Sequence, residues 1–126
     1  MKAPELLDTE WDLLDALWTL ERGTARQVTE ALGERRGWAY STVKTLLDRM
    51  VDKGLVTARQ VGHVWEFSPA VPRHKAQRWA WRRFVDVAFK GALAPTLAFV
   101  TRESKLSKRE RAELRALLDR LEDDDE

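Results

Sequence analysis

Cysteine is absent from the 126 residues. That excludes disulfides, thiolate metal sites and cysteine nucleophiles, and it fits a reducing compartment. Histidine occurs only at His63 and His74, so an all-protein zinc site would have to lean on carboxylates, an uncommon arrangement. No apolar run approaches the ~18 residues of a membrane span, and Met1-Lys2-Ala3-Pro4-Glu5 lacks the apolar stretch of a signal peptide. No metal, cofactor or membrane contact is expected, and the chain is expected to be cytoplasmic. The sequence also lacks G-x-x-x-x-G-K, H-E-x-x-H, G-x-S-x-G and any glycine fingerprint between strand and helix. Neither histidine has a sequence-near partner for acid–base work. An enzyme is not expected.

Apolar residues make up 44% of the chain and six residues are tryptophan, enough for a packed core. The formal net charge is only +1, but it is segregated along the chain. Residues 1–70 and 91–126 are each net −2, whereas residues 71–90 carry six Lys/Arg against one Asp. Within the first block, residues 35–62 hold Arg35, Arg36, Lys44, Arg49, Lys53 and Arg59 against Asp48 and Asp52, a net of +4. Segregation of this kind permits a local basic surface able to attract a polyanion. A solvated face without a partner has the same composition.

Hydrophobic spacing predicts the elements. Trp11, Leu14, Leu17 and Trp18 recur at helical spacing after Asp8-Thr9, either of which can cap, and Gly23 stops the run. Thr24 caps a short second helix through Ala25, Val28 and Leu32, ended by Gly33. Val43, Leu46, Leu47, Met50 and Val51 form one stripe of a third helix from about Tyr40 to Lys53, with Gly54 as its stop. The runs 55–60 and 64–68, separated by Val61-Gly62-His63, read as a hairpin, with Trp65 packing the wing onto the helices. Pro69 and Pro72 mark a boundary between residues 1–70 and 71–126.

Beyond that boundary the pattern is helical: Arg73 to about Lys90, a shorter run over 96–100, and a last helix opened by the Ser107/Glu110 capping box. Fold class is therefore mostly α with a small β-hairpin wing, an N-terminal winged helix-turn-helix followed by a helical module. The tail's stripes (Trp81, Phe84, Ala88; Leu114, Leu117, Leu118, Leu121) are too extensive to be buried internally at this size. A second copy of the chain is expected to cover them, making residues 71–126 a dimerisation domain.

Opposite the third helix's apolar stripe lie Ser41, Thr42, Thr45, Asp48, Arg49 and Asp52, with Lys44 on the flank. Short hydroxyl side chains at the N-terminal end let a helix enter a major groove, and Arg49 can reach guanine or the backbone. In the wing, Arg59 and His63 are positioned for phosphates. An ordinary polar face is the alternative, and Asp48 and Asp52 favour it; a helix-turn-helix ahead and a hairpin behind favour DNA. Trp38 either flanks the DNA or staples the turn.

Thr9-Glu10-Trp11-Asp12-Leu13-Leu14 followed by Leu17-Trp18 is similar to the first helix of the penicillinase-repressor family. Ser41-Thr42-Val43-Lys44-Thr45-Leu46-Leu47-Asp48-Arg49-Met50, then Lys53-Gly54-Leu55-Val56, resembles that family's recognition helix and following strand. The resemblance implies a bacterial transcriptional repressor that binds a palindromic operator in double-stranded DNA as a homodimer. It implies DNA contacts from Ser41, Thr42, Lys44, Thr45 and Arg49, with the wing around Gly62-His63 near the backbone. Copper-responsive members carry a C-terminal cysteine cluster, which this chain lacks. Antibiotic-responsive members are cut by a regulatory protease at an Asn-Phe bond in the tail; the matching place here is Phe99-Val100, two apolar residues equally suited to buried dimer core. Two rivals stand beside the repressor: a winged-helix protein-interaction module that never touches DNA, and a one-component regulator sensing a small molecule.

Overall fold

The computed structural model describes residues 5–124, excluding the side chains of Glu34 and of residues 121–124. The side chain of Leu121 thus lies outside the described residues. The elements are α1 (Asp8–Leu20), β1 (Gly23–Thr24), α2 (Ala25–Arg36), α3 (Tyr40–Asp52), β2 (Val56–Val61), β3 (Val64–Pro69), α4 (Arg73–Phe89), α5 (Leu93–Glu103) and α6 (Lys108–Asp124). The mostly helical class with a small antiparallel wing is borne out. Two compact units are present, Met1–Arg83 and Phe84–Glu126. The first therefore runs past the Pro69–Pro72 boundary expected from sequence.

In the first unit, Leu13, Leu14 and Leu17 of α1, Val28 and Leu32 of α2, and Val43, Leu47 and Met50 of α3 close on Phe67 and Val56 of the sheet. Early α4 joins them. Ala76 is buried in this core, Trp79 packs against it, and the Trp18 indole N–H donates to the Val71 carbonyl at 2.9 Å. These contacts carry the first unit through the opening turns of α4.

Several local features differ from the sequence expectation. Neither Asp8 nor Thr9 caps α1; Leu7 precedes the helix and its N–H donates to the Glu10 carboxylate at 2.9 Å. Gly33 breaks helical geometry (φ 47°, ψ −134°), yet one more turn follows to Arg36 before left-handed Gly37. A short third strand, β1, pairs with β3 through Gly23↔Phe67 and Thr24↔Glu66, giving the sheet order β1-β3-β2. Two residues leave too little periodicity to be legible in a sequence. Trp65 does not seal the wing. It is 47% exposed, and Phe67, two residues on and facing the same way, fills the core instead.

Other expectations hold in detail. Thr24 and Gln27 form a reciprocal capping box at the start of α2, and Ser107 and Glu110 form another at α6. A Schellman-type ending closes α3, with the Leu55 N–H on the Met50 carbonyl at 2.9 Å and Gly54 at φ 78°. In the second unit α4 ends at Lys90 and Gly91, both at positive φ, and Phe89 stacks edge-on with Phe84 (5.6 Å) and Phe99 (5.8 Å). The short helical run expected over 96–100 is present as part of a longer helix, α5, which starts at Leu93 and ends at Glu103. Among the described residues no single helix is long and apolar enough to cross a membrane.

One buried charge ties the first unit together. Glu10 is 4% exposed and accepts from the Lys53 ammonium at 2.7 and 2.9 Å, joining the first turn of α1 to the end of α3. Removing one partner of such a pair leaves a carboxylate without its counter-charge. Because Lys53 is partly solvated, Lys53→Ala should cost about 1–3 kcal/mol in urea denaturation, below the range for a fully buried pair. A loss within about 0.5 kcal/mol of zero would mean that water replaces the lysine without penalty.

Candidate nucleic-acid interface

The stripe Val43, Leu47 and Met50 is fully buried and fixes the rotation of α3 about its axis. Ser41, Thr42, Thr45, Asp48, Arg49 and Asp52 are consequently exposed along the other side. The Thr45 hydroxyl donates to the Ser41 carbonyl at 2.9 Å, one turn back. That bond uses its proton, leaving oxygen lone pairs and the methyl group to face outward.

Lys44 leaves the apolar stripe toward the sheet. Its ammonium donates to both oxygens of Asp48 at 2.8 and 2.9 Å and lies 5.6 Å from the centre of the Phe67 ring. Arg59 on β2 pairs with its cross-strand neighbour Glu66 at 3.0 Å. Arg49 projects from the outer face with no ion-pair partner among the described residues. His63 sits exposed in the two-residue turn of the wing, after Gly62 at φ 63°, the left-handed conformation that such turns require of their first residue.

The fold thus gathers Ser41, Thr42, Thr45 and Arg49 on one helix face, with Lys44 and the wing-turn His63 meeting beside it; Arg59, in register with Glu66, points to the hairpin face opposite Phe67 and is not brought to them. Arg26 and Tyr40, at the starts of α2 and α3, join Lys44 and His63 without a sequence signal of a site. Trp65 stands between two depressions that share Lys44 and Phe67: one of about 420 Å³ toward Val51, Asp52 and Ala58, the other of about 290 Å³ toward Arg26 and Tyr40. The alternation of Trp65 with Phe67 signals a common face, but only the packing decides which ring is core. Trp38 is half-buried against the core and carries the Arg36 guanidinium 5.1 Å from its ring centre.

The tail residues named from sequence are distributed as follows. Trp81, Phe84 and Ala88 are exposed along α4; Leu117 and Leu118 are exposed on α6 and Leu114 is half-buried. Phe99 and Val100 lie inside α5, the first exposed and the second half-buried. No group of three or more metal-ligating side chains converges among the described residues.

Three helices with a short three-stranded sheet, the third helix held by one face with a hairpin beside it, define a winged helix-turn-helix protein. The chain belongs to the penicillinase repressor family, whose model matches residues 6–120. This is a family of transcriptional repressors and not of enzymes. The chain is 25% identical over 120 residues to the methicillin resistance regulatory protein MecI of Mammaliicoccus sciuri, covering 94% of this chain and 97% of that one. It is 41% identical over 69 residues to the transcriptional regulator BlaI of Mycobacterium tuberculosis (54% of this chain, 50% of that one). The solution structure of monomeric Bacillus licheniformis BlaI in complex with the blaP half-operator matches with a TM-score of 0.51 at 24% identity, over 60% of this chain and 93% of that one.

Exposed ion pairs at helix spacing contribute little. A double-mutant cycle on Lys44 and Asp48 in urea denaturation should therefore return a coupling of about 0.5 kcal/mol, smaller at high salt. A coupling near 2 kcal/mol would mean that Lys44 is locked to its carboxylate and unable to serve a phosphate.

Proposed function

We propose that the chain represses transcription by binding a palindromic operator in double-stranded DNA as a homodimer, one winged helix per half-site. The observation that carries this reading is the outer face of α3, where Ser41, Thr42 and Thr45 leave the N-terminal half free of bulk while Arg49 extends beyond them. A helix of this kind enters a major groove with its short side chains at the base edges and its arginine on guanine or phosphate. Lys44 and His63 flank the backbone. The half-operator complex of the Bacillus relative supports the same use of the fold.

Dimerisation is supported by what the second unit leaves uncovered. Phe84, Val87, Leu93, Phe99, Leu117 and Leu118 are all large apolar residues with at least 40% of their surface exposed. A second copy supplies the missing cover, and linking two half-sites raises affinity because the second contact becomes intramolecular. Phe99 and Val100 serve packing in this reading. A regulatory protease cutting there would first have to unwind α5, since the bond lies within a regular helix.

Selection of duplexes from a random library by the full-length chain tests the function: a palindromic motif is the expected product, and recovery of no motif would leave the protein-interaction alternative. On the selected duplex, Thr45→Ala should cost about 1 kcal/mol relative to scrambled DNA, because a base-edge contact carries sequence information. Equal losses on both duplexes would remove Thr45 from the reading face.

The dimer is tested by sedimentation equilibrium. Residues 1–126 should be dimeric at micromolar concentration and residues 1–83 monomeric. A monomeric full-length chain would overturn this part of the proposal.

A further inference from the structure

The six cations counted between residues 35 and 62 are mostly neutralised inside the domain. Arg35 and Arg36 lie on Asp12, Lys44 on Asp48, Lys53 on Glu10 and Arg59 on Glu66. Of the six, only Arg49 has no carboxylate partner among the described residues. A face that meets a polyanion needs positive potential from elsewhere, and the structure has it beside the wing.

The start of α2, the start of α3 and the wing turn enclose a cleft of about 290 Å³, lined by Arg26, Tyr40, Lys44, His63, Val64 and Trp65 among others. The Arg26 guanidinium lies 5.9 Å from the centre of the Tyr40 ring, and no carboxylate among the described residues pairs with it. An arginine resting on an aromatic ring is held in place while its N–H fork stays available, the geometry that suits two oxygens of one phosphate.

A second, independent feature points the same way. Thr24 and Gln27 cap α2, but α3 is preceded by Ala39, which has no side-chain acceptor, and no side chain caps that end. The first-turn N–H groups of α3 and the positive end of its dipole therefore remain without a side-chain acceptor at the rim of the cleft. The wing contributes His63, Val64 and Trp65 to the lining. Donors from the helices together with an aromatic surface from the wing match a phosphodiester joined to a sugar better than a bare anion.

We infer that this cleft binds one phosphate of the DNA backbone per protomer, with Arg26 as its principal donor and Trp65 packed on the adjoining deoxyribose. This rests on the repressor reading above and assigns the sequence-independent part of its affinity to residues outside α3's outer face. Held at its N-terminal end by a phosphate, α3 enters the groove in a single register, which is what backbone contacts supply in protein–DNA recognition.

The test uses the full-length chain, the duplex it selects from a random library, and a scrambled duplex of equal length. Affinities are measured between about 50 and 200 mM salt. Arg26→Gln should weaken both duplexes about tenfold for each protomer bound, the size of a lost charge-assisted hydrogen bond. It should also lower the slope of log K against log salt by about 0.9 for each protomer bound. Arg26→Lys should keep the slope and recover only part of the affinity, and it stands in for Arg26→Gln if urea denaturation shows that variant unfolded. Losses confined to the selected duplex, or an unchanged slope with affinities within about twofold of the parent, would overturn the assignment. So would an unchanged slope together with lost binding of inorganic phosphate, which would give the cleft to a free anion. A chain that binds neither duplex overturns the repressor reading itself, a result separate from the Arg26 comparison.

Discussion

A carboxylate in the interior of the first unit governs what α3 presents. Glu10 is removed from water at the first turn of α1, where its oxygens take the Leu7 N–H and the Lys53 ammonium. A charge so placed must be answered where it stands, since desolvation without a partner costs several kcal/mol. Lys53 follows α3 directly, so the demand of Glu10 becomes a constraint on where that helix ends. Rotation is set separately, by Val43, Leu47 and Met50 in the core. Hydrophobic burial is non-directional and tolerates small slips along the axis; an ion pair at 2.7 Å does not. Together they leave Ser41, Thr45 and Arg49 with one way to face.

Charge in this domain illustrates the difference between composition and potential. Arg35 and Arg36 reach back to Asp12 from the turn after Gly33, and Arg59 crosses to Glu66 within the sheet. Such exposed pairs add little stability, yet they cancel local fields over a few ångströms. Around α3, the cations left without a carboxylate among the described residues are Arg49 on the helix face and Arg26 beside the start of the helix. The stronger basic run in α4 is also partly answered, with Arg73 on Asp15 and Arg83 on Glu5. Counting residues along the chain therefore overstates the field where cations and carboxylates fold together.

The second unit presents the opposite problem. Its side chains are correctly spaced for helices, and the Phe84, Phe89 and Phe99 rings meet edge to edge, but Val85 and Thr96 are its only buried described residues. A few short helices enclose little volume for the surface they expose. Apolar side chains left exposed on α4, α5 and α6 are the structural expression of that ratio.

Much of this protein was legible from spacing alone. The stripe of α3, the capping boxes at Thr24 and Ser107, the stop at Gly54 and the hairpin around Gly62 are local features, decided by residues within one or two turns of each other. The hydroxyl face of α3 followed from that stripe by geometry. Tertiary structure decided what depends on distant neighbours. Strand β1 exists because β3 offers it a partner; Phe67, paired with Gly23 of β1, fills the core while Trp65, nearer the wing turn, stays exposed; Glu10 meets Lys53 across 43 positions of sequence. The cleft of Arg26, Tyr40 and His63 draws on two helices and the wing, and no periodicity within any one of them could have announced it. Local propensity fixes elements because it acts over a few bonds, while charge pairing and cavities belong to the way those elements are brought together.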